Sequence, residues 1–210
     1  MSDPTKTREM LADAVVHACG LTAAFVGVTL LIQHLVQSGD TAPIISVSVY
    51  SAMLLFALMA SAAYHLLPWD ASRNWFHKVD HAAIYLKIAG TYTPLVVIIG
   101  STFSYVVLAA IWGVALFGAV AKLSFWPTNA KGSLALYLGL GWACVLLIYP
   151  MLQTLPGTAI WLITGGGLLY TVGTYFFSRE VLPFQNAIWH CFVLAASTCF
   201  FAAISISATA

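Results

Sequence analysis

Ser61 and His65 stand four residues apart, as do Asn186 and His190, and Asp80 sits immediately before His81 and three residues after His77. His17 comes early in the chain, and Lys87 follows Asp80 by seven residues. Spacings of four and seven return a side chain to the same helix face. Imidazole nitrogen and carboxylate oxygen brought together from separate helices into a dry site are donors that zinc accepts, with a position left for water. Taken singly, each of these histidines reads equally well as a satisfied core residue.

The composition sets the medium in which they must act. Of 210 residues, 61% are hydrophobic and 7% charged, against about 25% charged in a soluble domain. This is a membrane protein, and ionisable groups within its spans are costly enough to point toward function. The formal net charge is +1 and there is no basic run that could follow a phosphate backbone, which excludes nucleic acid as a partner and leaves membrane lipid. Cys19, Cys144, Cys191 and Cys199 lie in apolar stretches without paired spacing, so neither a disulfide framework nor a zinc ribbon is indicated.

The apolar stretches predict an all-α integral membrane bundle of seven helices, at about 10–36, 43–67, 78–99, 103–123, 133–149, 157–177 and 185–206. Residues 1–9 form a polar tail and 10–207 one domain. Each stretch is long enough for a hydrocarbon core of about 30 Å, and a helix satisfies its own backbone in lipid. Pro68 closes the second stretch, and Pro150 and Pro156 bracket the turn after the fifth. Pairs of small residues, Gly139 with Gly141 and the run 165–167, suggest close helix approach. Lys6, Arg8, Arg73, Lys78, Lys122, Lys131 and Arg179 all fall on the side shared by the first tail and alternate loops, and the eighth basic residue, Lys87, lies within a span. The positive-inside rule then places the N-terminus in the cytoplasm and the C-terminus outside.

In that topology the second span ends, and the third and seventh begin, at the cytoplasmic face. His65, Asp80, His190 and His17 therefore share a layer within about 5–10 Å of the boundary, at 1.5 Å rise per residue. A competing arrangement lies within one helix, where His77, Asp80 and His81 resemble a reversed zinc-protease pattern with Asp in place of Glu. Lys87 is about 13 Å deep and must face the bundle interior. There it either binds an anionic or polar lipid group, serves a proton path, or is tied to backbone carbonyls or tyrosines such as Tyr92.

The strings SAAYH, FHKVDHAAIYLKIAGTYTP and NAIWHCFVLAAS, with the Glu9, Asp13, His17 opening, closely resemble the bacterial hemolysin III proteins. These are relatives of the progestin and adipoQ receptors and, more distantly, of alkaline ceramidases. The resemblance implies a seven-helix fold in the bacterial cytoplasmic (inner) membrane, with a Zn2+ site near the cytoplasmic face. On its pattern Ser61 and His65 match the second-helix motif, Asp80 the third-helix aspartate, and His190 the second histidine of a last-helix HxxxH. The first histidine of that HxxxH is Asn186 here, and Phe200 stands where another histidine is often found. An amide oxygen is a poor zinc ligand, which leaves three outcomes: Asp80 binds directly, His17 or His81 completes the shell, or metal affinity is lost; the expected ligands are His65, Asp80 and His190.

Two functions of different class follow. In one, the protein is a ceramidase-like zinc-dependent hydrolase of a lipid amide or ester, in which Asp80 handles the proton of water, and Ser61 and Asn186 hydrogen-bond the reacting group. In the other, zinc ties helices together in a non-catalytic sensor or receptor-like protein, or the same polar residues serve a proton or ion pathway. The resemblance implies a role in membrane lipid or energetic homeostasis.

Overall fold

The computed structural model describes residues 4–67, 70–127, 131–179 and 181–210. Its helices are α1 (Pro4–Ser38), α2 (Thr41–Leu66), α3 (Arg73–Ile99), α4 (Thr102–Ser124), α5 (Lys131–Trp142), α6 (Ile148–Thr154), α7 (Gly157–Phe177) and α8 (Gln185–Ala208). Short 3₁₀ turns at Asp70–Ser72 and Ala143–Leu147 lead into α3 and join α5 to α6. Among the described residues, seven helical stretches are long and apolar enough to cross a membrane, the fifth running through α5, the 3₁₀ turn and α6 as Gly132–Thr154. The chain is an all-α seven-helix membrane bundle, as its composition predicts.

Local chemistry sets the breaks. Gly39, at φ +78, separates α1 from α2, and Asp40 caps α2 by accepting the Ala42 N–H at 3.2 Å. Pro43 falls in the first turn, where its missing N–H costs no helical bond. Gly100, at φ +67, ends α3 with its N–H on the Val96 carbonyl at 2.9 Å, and Ser101 then caps α4 through the Ser104 N–H at 3.1 Å. Pro68 lies outside the described residues.

Several elements differ from the sequence expectation. α1 starts at Pro4, so the stretch expected as a tail is helical from that residue on. α3 starts at Arg73, which puts His77 a full turn inside the helix, half-buried and stacked on Tyr64 with ring centroids 4.6 Å apart. The fifth span passes through Pro150 because the backbone ahead of it tightens. Proline cannot donate to the carbonyl four residues back, and the 3₁₀ turn Ala143–Leu147 closes shorter loops there. The Tyr92 hydroxyl of α3 is shared between the carbonyls of Leu140 and Gly141 at that transition, 2.9 and 2.8 Å away. Gly139, Gly141, Gly165 and Gly167 have nothing within 4 Å of an added Cβ, so they do not serve close approach; Gly166 does, facing Phe200 at 2.8 Å.

α3 packs against α2, α4, α5, α6 and α8 and carries much of the core. α1 lies against α2 and α8. A side chain at Gly20 would collide with Leu194, and this close approach brings α1 onto α8 one turn beyond His17. The site therefore sits where α1, α2, α3 and α8 meet.

Candidate metal centre

Three residues of α1 at four-residue spacing, Glu9, Asp13 and His17, make polar contacts to the rest of the bundle. Glu9 Oε1 accepts the Phe184 N–H at 3.1 Å, at the residue with positive φ (59°) that leads into α8. One turn further, Asp13 is 5% exposed. Its Oδ1 accepts from His190 Nδ1 at 2.6 Å and its Oδ2 lies 3.1 Å from His65 Nδ1. A further turn along, His17 Nδ1 donates to the Asp13 carbonyl at 2.9 Å. All three imidazoles thus turn the same ring nitrogen toward residue 13.

That orientation fixes the tautomers. An ionised carboxylate only accepts, so the Nδ1 atoms facing Asp13 carry the protons, and Nε2 of each neutral ring carries the lone pair. His17 Nε2 and His190 Nε2 lie 3.2 and 3.3 Å from the same Ser61 Oγ, and Ser61 also engages the Asp80 carboxylate. One hydroxyl proton faces two imidazole lone pairs and a carboxylate. Acceptors exceed donors here, as suits a cation. The rings are close, with centroids 4.3 Å apart for His17 and His190, 4.7 Å for His65 and His190, and 5.5 Å for His17 and His65.

One ligand atom from each of Asp13, His65 and His190 forms a set within 4.8 Å of one another. Two imidazoles and a carboxylate are a donor set that zinc accepts at about 2.0–2.2 Å. An ion held by the Nδ1 atoms would require each ring to carry its single proton on Nε2 instead. With Nδ1 of His190 on an ion, its Nε2–H would donate to Ser61 Oγ, supplying the outer hydrogen bond that ligating histidines regularly make. The residues present fit such an ion.

Beside this group lies a cavity of about 70 Å³, lined among others by His17, Ser61, Asp80, His81, Lys87 and His190. Of the residues singled out in the sequence, His65 and His190 enter the ligand set, and His17 and Ser61 lie against it. Asp80 lines the cavity and engages Ser61 but is not one of the three gathered residues; Asp13 occupies the carboxylate position in that set. His81 lines the cavity with its carbonyl accepting from the Tyr137 hydroxyl at 3.0 Å, and its ring lies 4.6 Å from that of His77. The His77, Asp80, His81 arrangement does not form the gathered group. Asn186 shares the His190 face but is exposed in the first turn of α8 and does not line the cavity. Lys87 donates to Ser197 Oγ at 2.8 Å on α8, whereas Tyr92 bonds the fifth span.

Asp13 is the residue that reasoning from the sequence passed over as a ligand. Its signal was present: an aspartate in an apolar span, one turn before a histidine.

Fold and site together define a multi-pass seven-helix membrane protein with a buried carboxylate and imidazole cluster joining the first, second and last spans. The chain belongs to the Haemolysin-III related family, whose model matches residues 5–201. It is 34% identical over 195 residues to Hemolysin-3 of Bacillus cereus, covering 92% of this chain and 89% of that protein. It is 32% identical to the Hemolysin-3 homolog of Bacillus subtilis (strain 168), covering 92% of each. The human Monocyte to macrophage differentiation factor is 29% identical over 204 residues, covering 93% of this chain and 83% of that protein.

Proposed function

We propose that this protein is a zinc-dependent hydrolase of a membrane lipid amide or ester, of ceramidase-like chemistry, set in the bacterial inner membrane with its N-terminus in the cytoplasm. One observation supports this reading above others: the gathered Asp13, His65 and His190 adjoin a cavity that also holds a carboxylate and a hydroxyl outside the ligand set. A purely structural site would have all its positions closed by protein. When bound, zinc supplies Lewis-acid polarisation of the scissile carbonyl. Asp80, across Ser61 from His190, accepts the proton of the attacking water and returns it to the leaving amine or alcohol. Ser61 accepts from the His190 ring and gives its single proton to the Asp80 carboxylate, holding the two in register. Asn186, exposed and outside the cavity, has no part in this scheme.

A non-catalytic reading has its own support. Asp13 cross-braces α1, α2 and α8 through two imidazoles, which is what a structural tie in a membrane sensor would do. The test is turnover by the purified protein in nanodiscs, against a panel of N-acyl and O-acyl lipids, with products resolved by mass spectrometry. Hydrolysis lost in Asp80→Ala with metal content and thermal stability retained is the expected outcome. Metal-loaded protein that cleaves none of the panel, or an Asp80→Ala variant that turns over normally, defeats the hydrolase and leaves the structural tie.

A further inference from the structure

We propose that Glu9 is a positioning residue for the gathered group: its contact with the start of α8 sets the place of α1, and through α1 the place of Asp13. The effect of Glu9 on metal affinity rests on the reading of that group as a metal centre. Its effect on the Asp13 bridge does not.

From Thr5 to Gly20 the buried residues of α1 are Asp13, His17 and Gly20. Met10, Leu11 and Val15 are exposed, and the buried leucines of this helix, Leu31 and Leu35, come more than two turns after Gly20. No large apolar side chain is buried in this half of α1, and lipid gives its apolar residues no drive to turn inward. Its placement falls to the closure of Gly20 on Leu194 and to polar contacts. Asp13 and His17 belong to the site itself; Glu9 stands one turn outside it.

The point that Glu9 reaches is fixed from other directions. Phe184 has φ 59°, a left-handed conformation unusual for a residue with a large side chain, and α8 has no side-chain cap there. Glu9 Oε1 accepts the Phe184 N–H at 3.1 Å, which brings a carboxylate from another helix to the positive end of α8. The Gln185 amide donates to the Phe177 carbonyl at 2.8 Å and ties the same turn to α7. His190 follows Phe184 by six residues, about 9 Å along α8. Glu9 and Asp13 thus meet Phe184 and His190 as two successive rungs between α1 and α8.

Gly20 supplies the pivot. Glu9 is about 16 Å from it along α1 and Asp13 about 10 Å, so release of Glu9 by about 1 Å shifts Asp13 by about 0.6 Å. A ligand set must be held within about 0.5 Å. Loss of the Glu9 contact is therefore large enough to be read at the group one turn away.

Zinc affinity is measured by chelator competition on the full chain in nanodiscs. The proton that His190 Nδ1 gives to Asp13 at 2.6 Å is followed by NMR in the metal-free protein. Glu9→Ala should weaken zinc about 2–30-fold and move that proton upfield, as lengthening of a charge-assisted bond does. Glu9→Gln, which keeps an accepting oxygen, should fall between alanine and wild type on both readouts. Gly118→Ala, which disturbs the bundle at Tyr85, should change neither. A wild-type zinc affinity or an unmoved proton in Glu9→Ala overturns the proposal, as does an equal loss of affinity in Gly118→Ala. Should the wild type take up no zinc, the metal reading fails and the His190 proton alone decides: moved in Glu9→Ala it upholds the role of Glu9, unmoved it refutes it. Should Glu9→Ala fail to fold, Glu9→Gln decides by the same two readouts.

Discussion

Replacing Asp13 by alanine removes the shared acceptor of two imidazoles. His190 loses a bond of 2.6 Å and His65 one of 3.1 Å, both from Nδ1. Each ring keeps an N–H for which the gathered group holds no other carboxylate. A buried donor left unmade costs about 1–3 kcal/mol, so the two together should cost about 2–6 kcal/mol in the metal-free protein. Asp13→Asn is milder, because the amide keeps the shape and one accepting oxygen. Its NH₂ must then face the other ring, and that ring can answer by moving its proton from Nδ1 to Nε2. The cost should fall to about 1–3 kcal/mol. Reversible unfolding in mixed detergent, with chelator present, gives the order wild type, Asp13→Asn, Asp13→Ala from most to least stable. Nitrogen-15 shifts of labelled histidine should show at least one ring changing tautomer in Asp13→Asn. An alanine variant as stable as wild type, or more stable than asparagine, would refute the bridging geometry.

Other substitutions probe the parts around it. Ser61→Ala removes the outer hydrogen bond to His190 Nε2 and should lower metal affinity about 10–100-fold while leaving saturating stoichiometry intact, read by chelator competition; unchanged affinity would count against the outer role. Glu9→Gln weakens a charge-assisted contact by about 0.5–1.5 kcal/mol, and should speed amide exchange at Phe184 more than in the middle of α8. Gly118→Ala places a Cβ 2.7 Å from the buried Tyr85 ring and should cost about 1–3 kcal/mol. Gly139→Ala meets nothing within 4 Å and should stabilise α5 by up to about 1 kcal/mol. Equal effects of these two glycine substitutions would show the packing of the bundle to be wrong.

The seven spans were readable because each apolar run is long and the first six are followed within a few residues by a proline, a glycine or a charge. The meeting of His65 and His190 was readable because depth along a span follows from counting residues from its end. Rotation about the helix axis was not readable. α1 is apolar around most of its circumference, so nothing in its pattern says which face meets α2 and α8, and Asp13 went unassigned although it lies one turn from His17. Asn186 illustrates the same limit from the other side. It lies within about 40° of His190 on the helix wheel, yet the first turn of α8 leaves it exposed. The passage of the fifth span through Pro150 depended on a tyrosine of another helix, Tyr92, accommodating the tightened backbone, which no local pattern reveals. Small-residue pairs misled for a similar reason, since Gly139 and Gly141 face open space.

The most direct test concerns whether side chains of α1, α2 and α8 hold one ion between them. Metal content per chain, measured on the purified protein after loading with zinc and desalting, should be one in the wild type. It should fall to near zero in each of Asp13→Ala, His65→Ala and His190→Ala, with the helical content of each variant retained. Folded variants that keep a full equivalent of zinc would contradict the account.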